Sequence, residues 1–349
     1  MFDPKKNKSF RHGEATRWIL KDNDGRLTGR IAAYANRKYK NKGDEAPVGG
    51  IGFFDCINNQ EAADMLFDVA RYWLQQKGFG AMDGPVNFGE RDRWWGLVVQ
   101  GFQEPMYGMN YNPPYYQALF ENYGFRLYFN QVCFGMNPQL PMSKKVQDRH
   151  AAYANRPEFK AVHIDKTRLE KFAVDLTTVY NKAWAGHGGL RELKKDQVIA
   201  MFKQMKPVMD EKIIWFAYHK EEPIGMFVNL PDLNQWFKHL NGQFGLLQKL
   251  RFLWIKKTKP NKKFTGILFG IVPEFQGKGI DAFMINEASK TIMNLSYTEY
   301  EMQWIGDFNP RMINVAEGLG DVSRSRMLTT YRYNFDPTKE VKRYPIIEK

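Results

Sequence analysis

The sequence predicts a mixed α/β protein with two tandem domains, each a mixed twisted sheet flanked by helices. The chain has 349 residues, which exceeds the size at which a single hydrophobic core usually stops growing. Hydrophobic residues make up 43% and charged residues 26% of it, as in folded globular proteins. Strand-like and helix-like segments alternate in both halves, which argues against an all-helical or all-β architecture.

A polar stretch bracketed by Pro138 and Pro157 divides the chain, as a linker or linker helix would. The stretch after Asp336 is charged and typical of a surface tail. The predicted parts are a first domain over 1–136, a linker over 137–158, a second domain over 159–336 and a tail over 337–349.

Each domain has its own series of elements, placed by apolar periodicity and by flanking glycine and proline. In the first domain we predict strands at 29–34, 50–56 and 82–88 and helices at 59–77 and 112–123. In the second we predict strands at 160–164, 212–219, 223–230, 264–272, 297–305 and 328–335, and helices at 168–184, 195–209, 281–294 and 310–319.

The charge balance favours an anionic partner. The formal net charge is +13 and the pI is about 9.4, which suits a phosphate-rich cofactor, an anionic membrane or nucleic acid, although solubility alone also explains it. Cys56 and Cys133 form no disulfide framework or zinc pattern. With no signal-like start and no long apolar run, we expect a cytoplasmic protein, soluble or peripheral to the inner membrane surface.

The strongest local signal is a strand that runs into a glycine-rich turn and then a helix. The strand ends at Val272, and Pro273-Glu274-Phe275-Gln276-Gly277-Lys278-Gly279-Ile280 follows. Glycines let backbone amides approach a ligand closely, and a helix start adds unpaired N–H donors and a partial positive charge. This combination binds phosphate; a glycine-rich turn without a ligand is the alternative.

The segment resembles the pyrophosphate-binding motif Q/R-x-x-G-x-G/A of the GNAT superfamily. The resemblance implies two tandem GNAT domains and an acyl-CoA co-substrate, with no metal. Bacterial tandem GNAT-like proteins share 230–235 and 277–281, and the Asp281 that departs from the general motif is usual among them. The residues implied to contact the cofactor are Phe269, Ile271, Val272, Gln276, Gly277, Lys278, Gly279, Ile280 and Asn309.

Two further positions bear on this resemblance. Asn309, at the start of the predicted helix 310–319, matches a family position that contacts the pantetheine arm, although asparagine is also a common N-cap. The family often places a tyrosine, the general acid for the leaving thiolate, where this chain has Ala316. The first domain repeats the helix ending at 112–125 but has no glycine motif, so we interpret it as a degenerate copy.

Transfer to an amine requires a base, because the ammonium form dominates at neutral pH. Glu301, on the strand after the cofactor-binding helix, is the first candidate, and Asp307 and His187 follow. Each also has an ordinary reading as a surface or loop residue. Alternation along the strand places Glu299, Glu301 and Gln303 on one face.

An insertion over 232–263 is strongly basic and contains a possible amphipathic helix. Leu246, Leu247, Leu250, Leu253 and Trp254 share one face of it. Such a segment suits anionic lipid or a long acyl chain. A helix packed on the core with a solvated basic edge is the alternative, and we favour it slightly.

These observations predict an acyl-CoA-dependent N-acyltransferase. The acceptor is a small-molecule amine or a hydrophobic, lipid-like one, and peripheral contact with an anionic membrane is a possible addition. The alternatives are a CoA-binding or membrane-surface module that has lost catalysis, and an aminoacyl-tRNA-dependent transferase. Apart from that tRNA, nucleic acid is an unfavoured partner, because the basic segment carries no recognised RNA or DNA motif.

Overall fold

The computed structural model describes residues 1–89, 95–184 and 192–347, and the structural statements below refer to these. Its strands are β1 Gly13–Lys21, β2 Leu27–Asn36, β3 Gly49–Cys56, β4 Ala81–Gly84, β5 Leu97–Gln100, β6 Arg126–Met136, β7 Phe159–His163, β8 Ile214–His219, β9 Glu222–Pro231, β10 Lys263–Ile271, β11 Glu299–Gly306 and β12 Val322–Asn334. Its α-helices are α1 Gln60–Gln76, α2 Tyr116–Tyr123, α3 Lys144–Ala154, α4 Leu169–Trp184, α5 Lys195–Met205, α6 Asn234–Phe237, α7 Leu246–Thr258, α8 Ile280–Ile292 and α9 Pro310–Glu317.

The chain forms two compact units that are not contiguous in sequence. The first unit contains residues 1–132, 304–311 and 325–349, and the second contains 133–303 and 312–324. The predicted domains, 1–136 and 159–336, were each a single stretch. Most of β12 therefore belongs to the first unit although it ends the chain's series of elements.

The first unit is a sheet of order β1-β2-β3-β4-β12, with β5 also paired to β12. Helix α1 begins after Asn59, whose side chain accepts a hydrogen bond from the backbone N–H of Ala62 at 2.8 Å. Leu66, Phe67 and Leu74 of this helix are almost completely buried. The spacing of these side chains explains why the helix packs one face into the core of this unit.

The second unit contains the candidate site. Strands β7, β8, β9 and β10 pair antiparallel in sequence order, and β11 pairs parallel to β10. Helices α4 and α8 contribute Phe172, Leu176, Phe283 and Met284 to its main core. Only the turn over 272–279 separates α8 from β10, so the first turn of α8 lies near the end of that strand.

The element predictions for the second domain are confirmed to within a few residues, apart from longer differences at the end of α5 and the start of β12. In the first domain, β1, β5 and β6 were missed. The strand predicted at 82–88 ends at Gly84, because Pro85 has no N–H to continue the ladder. The possible linker helix is present as α3.

We favoured a helix of the basic insertion that packs its leucine-rich face on the core, and this prediction is wrong for that face. Helix α7 packs through Phe252 and Ile255, whereas Leu246, Leu250 and Trp254 are exposed. The buried side packs against Trp236 and Leu240 in and after α6 and against Val208, which follows α5. No α-helix in the described residues is long and apolar enough to cross a membrane.

Candidate functional site

The glycine turn between β10 and α8 requires glycine at two positions. After β10, a 3-10 turn over Pro273–Phe275 leads to Gly277, with φ of +72°, and Gly279, with φ of +89°. Side chains with a Cβ atom are strained in this left-handed region. Gly279 is also the residue from which α8 begins. The sequence motif therefore corresponds to a specific backbone path.

This path leaves backbone donors available. Within the described residues, the N–H groups of Gly277, Lys278 and Gly279 donate to no protein acceptor. Gln276, Gly277 and Lys278 are exposed to solvent. The first turn of α8 adds its own unpaired N–H groups and the positive end of the helix dipole. This arrangement is able to bind an anion such as a pyrophosphate.

Side-chain hydrogen bonds fix the turn on both sides. Gln276 donates from Nε2 to the carbonyl oxygen of Ile271 at 2.9 Å, so its side chain folds back onto the strand. Tyr153 of α3 donates from its hydroxyl to the carbonyl oxygen of Lys278 at 2.5 Å. Gln276 thus shapes the loop, and Tyr153 supports it from a neighbouring helix.

Two cationic side chains are close to the turn. A Cβ atom at Gly279 would lie 3.7 Å from the Cβ atom of Arg149 and 3.6 Å from the ring of Tyr153. Lys278 places its ammonium group 5.7 Å from the centre of the Phe275 ring. Arg149 and Tyr153 lie in the predicted linker and were missed. The signal was the spacing of Val146, His150 and Tyr153 by four and three residues, which marks one face of a helix.

The sheet changes its pairing where β10 approaches the turn. The parallel register of β10 with β11 ends at Gly266 and Met302. Past this point β10 continues beside β9, and a register shift between Gly266 and Leu268 leaves Ile267 without a partner residue in β9. A bulge of this kind disrupts the ladder locally, and bulges are common next to binding sites.

Unpaired polar atoms are buried near the same point. Within the described residues, Oγ1 of Thr265 and Oδ1 of Asn229 have no hydrogen-bond partner. A Cβ atom at Gly266 would lie 2.4 Å from the hydroxyl of Tyr300 and 3.4 Å from Oδ1 of Asn229. Burial raises the pKa of Tyr300 far above its usual value, so its hydroxyl keeps its proton. These buried polar groups therefore lie next to the bulge of β10.

The remaining predicted cofactor contacts are apolar. Ile271, Val272 and Ile280 are buried in the core of the second unit, and Phe269 is half-buried. Near them, a small apolar crevice opens between α8 and the strands. Its lining includes Met142, Phe227, Phe264, Ile285, Tyr300 and Leu319.

Glu301 is buried rather than facing solvent. Its carboxylate Oε2 lies 3.4 Å from the ammonium group of Lys263, which is also 3.5 Å from Oε2 of Glu299. The side chain of Glu301 is 4% exposed and that of Glu299 is 64% exposed. Their shared contact confirms that the two glutamates lie on one face of β11. The pair makes Glu299 the surface counterpart of Glu301.

The other predicted residues lie elsewhere in the chain. Asp307 belongs to the first unit, where it forms an ion pair with Arg343. Asn309, in the same unit, immediately precedes α9, and its backbone N–H donates to the carbonyl oxygen of Gly306 at 2.9 Å. His187 lies outside the described residues.

Two positions that depart from the family pattern have clear surroundings. Helix α8 begins after Gly279, which is its N-cap, so Asp281 does not cap the helix. Asp281 is thus the second residue of α8, where its carboxylate interacts favourably with the positive end of the helix dipole. Ala316 is buried in α9 at 1% exposure and provides no proton donor.

Comparison with solved structures identifies the fold. A tandem GNAT protein from the clavulanic acid biosynthesis pathway superposes with a TM-score of 0.50 over 95% of this chain and 86% of that protein, at 11% identity. The chain has a tandem GNAT fold. The GCN5-related glucosamine N-acetyltransferase region of a fungal multidomain β-N-acetylglucosaminidase gives a TM-score of 0.52 over 93% of this chain and 34% of that protein, at 11% identity.

Sequence comparison finds two bacterial relatives of this chain. It is 25% identical to a bacterial ceramide synthase of Caulobacter vibrioides over 327 residues, or 91% of this chain and 83% of that protein. It is 24% identical to protein YghO of Escherichia coli over 87% of this chain and 78% of that protein. No model of a known protein family matches the sequence.

Proposed function

We propose that this protein is an acyl-CoA-dependent N-acyltransferase whose second unit binds the co-substrate. The observation that carries the proposal is the turn at Gly277 and Gly279, with its unpaired N–H groups at the start of α8. The first side-chain carbons of Arg149 lie beside Gly279, and Lys278 is part of the turn, so both residues are within reach to supply positive charge. A CoA pyrophosphate is an anion of the size and charge that such a turn accommodates.

We propose a long-chain amine as the acceptor and a fatty acyl group as the donor. Ceramide is the amide of a fatty acid with a long-chain amino alcohol, and the similarity to a bacterial ceramide synthase extends over 91% of this chain. The apolar lining of the crevice beside Phe264 and Ile285 favours hydrophobic substrates in the same way. The alternative is acetyl transfer to a small polar amine.

The reaction forms a C–N bond and breaks the C–S bond of the thioester. The neutral amine attacks the carbonyl carbon, its proton passes to a base, and CoA leaves as the thiolate. Glu301 is the candidate base in the second unit, and Lys263 keeps its carboxylate next to a positive charge. The bulge at Ile267 interrupts the pairing with β9, and a backbone N–H group left unpaired at such a bulge would polarise the thioester carbonyl.

A non-catalytic CoA-binding module is the second candidate, because Ala316 stands where many family members have a proton-donating tyrosine. The two proposals predict the same CoA binding but different turnover. An aminoacyl-tRNA-dependent transferase, which the net charge of +13 favours, predicts no stabilisation by CoA.

A thermal-shift titration with CoA, acetyl-CoA and palmitoyl-CoA tests the proposal, followed by an assay with a sphingoid base. We expect palmitoyl-CoA to stabilise the protein most, because its acyl chain is the most hydrophobic of the three. A ligand at a hundred times its Kd adds about 2.7 kcal/mol to the free energy of unfolding. The assay should release CoA and yield the N-acyl product by mass spectrometry. Binding without turnover across long-chain and small amines favours the non-catalytic module, and no stabilisation by any CoA compound refutes both.

A further inference from the structure

Helix α7 exposes an apolar face that is large for a surface helix. The exposed fractions are 77% for Leu246, 76% for Leu247, 59% for Leu250, 54% for Leu253 and 62% for Trp254. Single exposed apolar side chains are ordinary, but five on one helix form a contiguous patch. Such patches mark interaction sites.

The patch points away from the protein. Phe252 and Ile255 are 4% and 1% exposed and form the buried side of α7, against Trp236 and Leu240. Residues two positions apart on a helix differ by roughly 200° in direction. Leu250 and Leu253 therefore lie on the side opposite to the two buried residues, and they are 59% and 54% exposed.

Basic side chains border the patch. Lys249 and Arg251 are exposed on either side of it, and Lys257 is exposed near its C-terminal end. Residues 233–262 contain no aspartate or glutamate. Long basic side chains can extend their charges past an apolar face while their methylene groups lie along it. A partner that matches this surface has negative charges that meet the basic side chains and an apolar layer beneath them that meets the leucines and Trp254.

We propose that α7 docks this protein on an anionic lipid surface, lying in the plane of the interface. An apolar stripe flanked by lysine and arginine is the pattern of helices that bind the headgroup region. With 13 residues, α7 is shorter than the roughly 20 needed to cross a bilayer. The inference goes beyond the proposed acyl transfer and does not depend on it, although docking would bring the protein to lipid substrates.

The test is co-sedimentation with vesicles of phosphatidylcholine alone and of an equimolar mixture with phosphatidylglycerol. We expect binding to the mixed vesicles only, and we expect it to fall as salt is raised. Leu250→Asp combined with Leu253→Asp should abolish it, whereas the matched pair Ile19→Asp and Leu27→Asp, at positions 62% and 68% exposed in the first unit, should have no effect. Thermal unfolding checks that each variant is folded.

A charge variant separates electrostatic attraction from apolar contact. Replacing Lys249, Arg251 and Lys257 by Gln should weaken binding about a hundredfold, because each basic residue near an anionic surface contributes about 1 kcal/mol. The control, with the same change in net charge, replaces the exposed Lys21, Lys144 and Lys145 and should weaken it much less. Lys256 is left unchanged because it donates to the carbonyl oxygen of Pro207.

Several results would overturn the proposal. Equal binding to both kinds of vesicle excludes an anionic surface as the preferred partner, and binding that the Leu250 and Leu253 changes leave intact excludes α7 as the docking element. A dimer in solution that these changes convert to a monomer, without any vesicle binding by the unmodified protein, assigns the patch to a second copy of the chain instead.

Discussion

Tyr153 of α3 and Lys278 of the glycine turn are joined by a hydrogen bond of 2.5 Å from the tyrosine hydroxyl to the lysine backbone carbonyl. The bond points the Lys278 carbonyl toward α3 and leaves the N–H groups of the turn unobstructed. Binding by preorganised donors costs less ordering than binding by a mobile loop. A segment that the sequence presents as a linker thus supports the proposed cofactor site.

Tyr153→Phe removes this bond and keeps the ring. We expect a loss of about 1 kcal/mol in the free energy of unfolding, the usual net value of one hydrogen bond, and a several-fold weaker affinity for CoA. Denaturant unfolding and calorimetric titration measure the two effects. Tyr72→Phe, on an exposed tyrosine of α1, is the control. An unchanged CoA affinity in Tyr153→Phe would show that this hydrogen bond does not contribute to cofactor binding.

Arg149→Ala tests the cation that the sequence did not indicate. A charge-assisted hydrogen bond to phosphate contributes about 1.5–3 kcal/mol, so we expect CoA affinity to fall at least tenfold. Lys278→Ala should have a smaller effect than loss of either glycine, because its charge is one contributor beside the backbone donors. Lys145→Ala, on the exposed side of α3, is the control. Equal affinities for Arg149→Ala and Lys145→Ala would remove Arg149 from the site.

Glu301→Gln tests the base. If Glu301 accepts the amine proton, the acylation rate should fall roughly 10²- to 10⁴-fold, CoA binding should survive, and raising the pH should partly restore the rate. Stability should change little, because Lys263 keeps Glu299 as a partner. Glu299→Gln alters the same ion pair at an exposed position and should leave the rate unchanged. If Glu301→Gln lowers stability but leaves the acylation rate per folded molecule normal, Glu301 has a structural role and is not the base.

Acidification should weaken the attachment of α3 to α8. Burial raises the pKa of Glu287, but hydrogen bonds and charges from Lys290 and His150 outweigh it and hold the pKa below its usual value. The ionised carboxylate therefore adds stability above pH about 4.3, and this stability is lost as the pH falls through the lower folded-state pKa. Glu287→Gln should cost about 1 kcal/mol at neutral pH.

Urea unfolding of both proteins from pH 7 to pH 3 measures this difference. We expect the gap between wild type and Glu287→Gln to close on acidification, since protonation abolishes the same charge. A gap that is constant with pH would mean that the glutamine disturbs packing rather than electrostatics.

The sequence predicted β10, the glycine turn and α8, because local rules fix them: an apolar run, two glycines and a helical repeat. It did not predict the roles of Arg149 and Tyr153, since their proximity to Gly279 arises from long-range packing of α3. It also missed that most of β12 joins the first unit. Strand pairing across more than two hundred residues leaves no periodic signal in either segment.

The sequence also did not predict that the leucine-rich face of α7 is exposed to solvent. The sequence showed which residues share a face, but an amphipathic pattern alone does not tell whether that face meets a core or the solvent. Phe252 and Ile255, which interrupt the polar side, proved to be the buried residues.

Calorimetric titration of CoA into wild type and Gly277→Glu tests the central claim most directly. A Cβ atom at Gly277 would meet no protein atom within 4 Å, so the substitution adds left-handed backbone strain and a negative charge where the pyrophosphate would bind, without a steric clash in the fold. Gly277→Ala carries the strain alone and serves as the control. We predict that wild type and Gly277→Ala bind CoA and that Gly277→Glu, still folded, does not. Equal affinity in Gly277→Glu and wild type would contradict the assignment of this turn as the cofactor site.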